Sequence, residues 1–347
     1  MTLANAAAAV AWIGVTCYAL FGGADFGAGF WDLAAGGAQR GEPRRRLIEH
    51  SIGPVWEANH VWLIFVLVVL WTCFPPLFGA VASTLWIPLT LAAFGVIIRG
   101  SAFAFRKTVT QTWQRRLFGA AFAASSVITP FFLGAAAGGV ASGRVPPGIG
   151  TGDAVSSWWN PVSVLTGLLA VVTCAYLAAV YLTADARRSG DAALVSWFRT
   201  RALAAGAAAG IVAGSGLLFL HHDAAELYHG VLHRGLPFTI VSVLAGTVSL
   251  GLLYRHHFTV ARVTAALAVT AVLWAWAAAQ YPHLLTPGLT IGQAAATRAV
   301  LTATLASLAA GAVLLVPSLA WLYVLFQRGA PQPGPGARPG PPAASAE

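Results

Sequence analysis

Charge is scarce in this chain. Only 9% of its 347 residues are Asp, Glu, Lys or Arg, whereas a soluble domain carries roughly 25%. That deficit leaves no room for a sizeable soluble domain. Lysine is nearly absent: Lys107 stands alone beside 19 arginines. With abundant alanine and glycine, this reads as genomic base composition rather than chemistry. Cysteine is short too. Cys17, Cys73 and Cys174 are odd in number, lack C-x-x-C spacing and lie in or at the end of apolar runs. A disulfide framework or a metal site is therefore not expected, and the three read as small buried hydrophobes. No phosphate-binding glycine loop, G-x-S-x-G elbow or zinc signature occurs. No basic residue precedes the first apolar run and no clear small-residue cleavage site follows it, so a retained span is expected there rather than a signal peptide.

What is present is hydrocarbon, at 58% of the chain. Nine apolar segments can be drawn, each about as long as, or longer than, the roughly 20 residues a spanning helix needs. They are Ala6–Leu33, Ile52–Phe74, Pro76–Phe103, Leu117–Val140, Pro161–Leu182, Ala202–Leu220, Leu236–Tyr254, Thr259–Gln280 and Ala299–Phe326. The expected fold is all-α: a polytopic transmembrane bundle of about nine spans over residues 1–328. Residues 329–347 form a Pro/Gly/Ala-rich tail that cannot bury a core and is expected to be disordered.

Nine spans make the loops alternate sides, and the charges test that alternation. Seventeen of the 20 basic residues fall on one side; only Arg144, Arg234 and Arg298 fall on the other. By the positive-inside rule this places the N-terminus outside and the C-terminus in the cytoplasm. It also accounts for the net charge of +9 without nucleic acid.

Polar groups are costly in hydrocarbon, so those inside spans mark function by default. In the first span Asp25, Gly29 and Asp32 share a helical face, and Gly23 and Gly27 have the small-xxx-small spacing of close helix contacts. Asp32 is either solvated at the boundary or part of this seam, and Asp25 lies about 10 Å deeper at 1.5 Å per residue. The second span opens on Trp56, Glu57, Asn59 and His60, with Glu57 about 7–8 Å inward. Trp56 reads equally as an interfacial anchor or a ligand contact. Arg99, near the end of the third span, is deep enough to need a partner, and Glu57 and Asp25 are the candidates. The run His221, His222, Asp223, Glu226, His229 and His233 matches no strong metal motif and is expected to be a solvated outer loop.

Glu57 and His60 make a single E-x-x-H. A di-iron bundle needs two such motifs and two further carboxylates, which excludes that site here. A lone histidine can ligate haem iron, but His60 and His50 lack a paired context. Buried carboxylates and a histidine near the cytoplasmic face are the parts of a proton relay.

Several motifs, in order along nearly the whole chain, carry a resemblance. They are Gly-Ala-Asp25-Phe-Gly-Ala-Gly29, a basic loop, then Trp56-Glu57-x-Asn59-His60-Val61-Trp62-Leu63 and Arg99-Gly-x-x-Phe103-x-Phe105-Arg106. Gln280-Tyr281-Pro282, Leu289-Thr290-Ile291 and Pro317-Ser318-Leu319-x-x-x-Tyr323-x-x-Phe326 follow. Together they resemble subunit II of the cytochrome bd quinol oxidases, including the cyanide-insensitive branch. The resemblance implies a multi-pass protein of the bacterial plasma membrane, paired with a haem-bearing subunit I and inactive alone. The complex would oxidise quinol, reduce O2 to water and take up protons from the cytoplasm. Haems are expected on the partner. A structural quinone is held in this subunit by some members, and a small accessory membrane subunit is a further expected partner. The proton route implied here comprises Glu57, Asp25, His60 and Asp32, supported by Arg99, Asn59 and Trp56. Two departures bear on it: Ala104 stands where the family often has an acid, and His60 where some members have Gln. Two other readings share the buried acids. A proton-coupled transporter should show broken helices and an internal repeat, and no clear repeat is seen; a structural scaffold subunit needs no proton chemistry.

Overall fold

The computed structural model describes residues 2–37, 39–52, 56–109 and 111–327; within its helices the side chains of 52, 56–58, 106–108, 112, 115, 319 and 322–327 are left out of the description. The tail expected to be disordered, 329–347, lies outside the described residues.

The chain enters through α1 (Leu3–Cys17), whose first turn is capped by Thr2 Oγ1 accepting from the Asn5 N–H at 3.2 Å. A π-helical turn (Tyr18–Gly22) joins it to α2 (Gly23–Leu33), and the three together make one span. Then come α3 (Glu42–Ile52), α4 (Trp56–Cys73), α5 (Pro75–Thr84), α6 (Trp86–Thr108) and α7 (Thr112–Ala141). The remainder is α8 (Pro161–Arg188), α9 (Ala192–Asp223), α10 (Ala225–His233), α11 (Leu236–Tyr254), α12 (Phe258–Gln280), a hairpin of β1 (His283–Leu285) and β2 (Leu289–Thr290), α13 (Ile291–Ala294) and α14 (Arg298–Gln327). Among the described residues eight helices are long and apolar enough to cross a membrane, or nine if the bent pair α4 and α5 is one span.

Three sequence expectations change. The segment expected as one span from Pro76 to Phe103 is two helices. α4 and α5 diverge by 118° at Phe74, where Pro75 and Pro76 supply no N–H to continue a ladder. A second break falls at Leu85 (φ −101°, ψ 25°). There Pro88 could not bond the Thr84 carbonyl, so the helix restarts. The basic loop after the first span contains α3, with Pro43 in its first turn, where a missing N–H costs least. The His-rich outer loop is also helical: His221 to Asp223 end α9, and Glu226, His229 and His233 lie on α10.

α8 is the central element. Its buried residues Ala175 to Val180 join α2, α3, α9 and α12 in one core. Contact there is close because the facing residues are small. A Cβ on Gly27 would overlap the Cys174 carbonyl, so α2 and α8 touch backbone to backbone. A second core closes the other end. Leu77, Ala80 and Leu85 pack there with Val145, Trp158, Leu285, Leu289 and Ile291. The β1–β2 excursion is thus a packed cap; Ala296 N–H donates to the Cys73 carbonyl at 2.8 Å and pins it to α4.

Candidate functional site

The first span, α6 and α7 meet along a buried polar seam. Arg99 of α6 is 1% exposed and Asp25 of α2 is 4% exposed. Arg99 Nη2 donates to Asp25 Oδ1 at 2.7 Å and to the Asp25 carbonyl at 2.9 Å; Nη1 donates to Ser126 Oγ of α7. The guanidinium carbon lies 4.2 Å from the Phe122 ring centroid and 5.0 Å from that of Phe26. Gly29 makes room: a Cβ there would overlap Ser126 and stand 2.7 Å from Arg99 Nη1. A charge this deep is stable only when paired and hydrogen-bonded, and this pair is incompletely bonded. Asp25 Oδ2, Arg99 Nε, Tyr18 Oη and Thr129 Oγ1 are buried without a hydrogen-bond partner among the described residues. Such atoms normally find water.

The other expected residues divide. Asp32 is not a solvated boundary residue. It is 5% exposed, with Oδ1 3.2 Å from Arg45 Nε of α3. Asn59 is buried at 7%. The His60 ring lies 6.1 Å from that of Phe26, the ring that Arg99 also approaches. Of the two partners weighed for Arg99, Asp25 is in contact; the side chains of Glu57 and Trp56 lie outside the described residues. Ala104 of α6 is exposed, whereas Arg99 of the same helix is buried. Ser126 and Thr129, buried on α7, are not singled out by the sequence, where a hydroxyl in an apolar helix can bond its own backbone.

Among the described residues no group of three or more His, Cys, Asp or Glu side chains could hold a metal ion. His229, His233 and His283 instead border a cleft of about 460 Å³ with Glu226, Arg234 and Gln280, at the end away from the Arg-rich loops. At that end Asp153 Oδ1 accepts from the Val155 and Ser156 N–H groups at 2.9 and 2.6 Å, which holds its carboxyl below the usual range. The turn it caps is therefore tightest above the ordinary Asp pKa and loosens as pH falls through the lowered one.

The architecture defines a class: a multi-pass helical membrane protein with an ion pair sealed inside. The particular family follows from comparison. The model for cytochrome bd terminal oxidase subunit II matches residues 3–326, and the chain belongs to that family. Cytochrome bd ubiquinol oxidase subunit 2 of Bacillus subtilis (strain 168) is 28% identical over 162 residues, covering 46% of this chain and 47% of that protein. Cytochrome bd-I ubiquinol oxidase subunit 2 of Escherichia coli (strain K12) is 28% identical over 194 residues, 54% of this chain and 48% of that one. The chain thus spans about half the length of the curated relatives it matches. The structure of bd oxidase from Geobacillus thermodenitrificans superposes with a TM-score of 0.75 at 26% identity, covering 95% of this chain and 100% of its counterpart. With its apolar helices, this makes the chain a multi-pass protein of the bacterial inner membrane.

Proposed function

We propose that the chain is subunit II of a membrane quinol:dioxygen oxidoreductase, a terminal oxidase of aerobic respiration. Its partner is a haem-bearing subunit I. Its own tasks are to support that partner and to supply a route for protons from the cytoplasm. The observation that carries the second task is the Asp25–Arg99 pair, buried in the family's fold with Asp25 Oδ2 left over for a further hydrogen bond.

In this reading the N-terminus is outside and the Arg-rich end faces the cytoplasm. Protons enter at Glu57 near the start of α4, with Asp32 at the same end; His60 and Asp25 lie further in. The guanidinium of Arg99 offsets the cost of burying the Asp25 carboxylate. Oδ2 then offers an acceptor at which a water or a proton can pause. Haems supply the oxygen chemistry and belong to the partner, as the family resemblance implies; a structural quinone or a small accessory subunit would add to the complex without changing these roles.

Glu57→Gln tests the route. The expected outcome is a complex with full haem content, read from its absorbance spectrum, and oxygen consumption lowered about tenfold, or ~1.4 kcal/mol in barrier. Unchanged turnover with full haem would overturn the proton role and leave a scaffold.

A further inference from the structure

The Arg-rich end holds a feature that proton transfer does not use. Trp197, in the second turn of α9, has two guanidiniums against its ring. Arg201, one turn along the same helix, places its Cζ 3.5 Å from the ring centroid. Arg44, from the first turn of α3, places its Cζ 4.6 Å away. Those two distances put the guanidinium carbons within about 8 Å of each other. Each side chain is anchored by a backbone carbonyl, Arg44 Nη1 donating to Ala35 at 2.7 Å and Arg201 Nη1 to Trp197 at 3.0 Å. The indole itself is wedged beside Trp31 and Phe198, at 6.2 and 4.7 Å.

Neither guanidinium has a carboxylate partner among the described residues. Their neighbours do: Arg45 pairs with Asp32, and Arg46 with Glu42. Two like charges are therefore held together, with spare N–H donors, at the rim of a membrane bundle. Cation–π contact offsets only part of that repulsion. An anion bridging the two would offset the rest, and the planar donor fork of arginine matches phosphate oxygens. Further along, α9 carries exposed apolar side chains, with Ile211 72% and Leu218 70% exposed. Such side chains suit acyl chains and favour a lipid over a free ion.

We propose that Arg44, Trp197 and Arg201 seat the phosphate of an anionic phospholipid whose acyl chains lie along α9.

The test uses the full chain, purified from membranes with its partner and delipidated, then titrated with phosphatidylglycerol and read by native mass spectrometry. One phosphatidylglycerol is expected to bind in preference to phosphatidylcholine. An Arg44→Gln/Arg201→Gln double variant should lose about 30-fold in affinity, from ~1 kcal/mol per arginine. Arg201→Lys, which keeps the charge, should lose less and guards against a folding defect in the double variant. Equal binding of the two lipids, or full retention by the double variant, overturns the proposal. Displacement by millimolar inorganic phosphate alone would overturn the lipid assignment and make the seat a free-anion site.

Discussion

Removing the carboxylate of Asp25 while keeping Arg99 leaves a guanidinium sealed among Phe26, Phe122 and Ser126 without its counter-charge. Breaking a buried pair from one side costs about 3–5 kcal/mol. Asp25→Asn should therefore fold poorly, seen as a lower thermal midpoint of the purified chain and lower yield in membranes. Replacing both members tests the cause. Asp25→Leu/Arg99→Met leaves no unpaired charge and should be more stable than Asp25→Asn, because apolar pairs of similar volume commonly substitute for buried ion pairs. A double variant as unstable as the single one would show that the two residues are not energetically coupled. The need for a partner was legible in the sequence because hydrocarbon tolerates neither residue alone, but the choice between Asp25 and Glu57 for Arg99 was not. Nor was Ser126, since a serine in a membrane helix can bond its own helix's carbonyl, as this one does to Phe122 at 2.6 Å. Only the contact from Arg99 distinguishes it.

Between elements, the same contrast of burial decides which ion pairs matter. Asp185 of α8 bonds Arg262 of α12, whose Nη2 also donates to the Tyr181 carbonyl at 2.6 Å. Both side chains are about one-fifth exposed, whereas those of Arg46 and Glu42 on α3 are 75% and 55% exposed. Asp185→Asn should cost about 1–2 kcal/mol by weakening the clasp between two spans, since hydrogen bonds to charged groups are worth ~1.5–3 kcal/mol. Glu42→Gln should cost under ~0.5 kcal/mol, because solvent screens an exposed pair. Thermal unfolding of the two variants side by side would separate them, and equal losses would show that Asp185 clasps nothing. Helix ends were legible to different degrees for similar local reasons. Pro75 and Pro76 marked the first break plainly, whereas the second, at Leu85 ahead of Pro88, lay within an apolar run that read as one continuous span. The π turn at Tyr18–Gly22 ends on the Gly22-Gly23 pair, which loosens a helix without specifying a π turn, so the sequence did not announce it; it shifts the register just before Asp25. Such turns recur at functional sites.

For the whole molecule, the spans were readable from length and apolarity, but the packing of α5, the 142–160 loop and the hairpin into a cap was not. Its contacts join residues far apart in sequence, such as the Gly150 N–H donating to Ser83 Oγ at 2.8 Å. Which end faces the cytoplasm is a different kind of question, because charge distribution biases it while the bundle's packing is the same either way up. The 17-to-3 asymmetry of basic residues is a strong bias, and the proton reading depends on it. Thr151 and Ser189 lie in exposed loops at opposite ends of α8, and of the native cysteines Cys73 and Cys174 are buried and Cys17 half-buried. In sealed right-side-out vesicles a membrane-impermeant maleimide should label Thr151→Cys at least about tenfold faster than Ser189→Cys, and lysis should equalise the two. The reverse ratio would turn the bundle over. Asp32, Arg45 and the start of α4 would then open to the outside, away from the cytoplasm on which the proposed route draws. The seam around Asp25 would remain a buried ion pair, but it could no longer be the inward route from the cytoplasm.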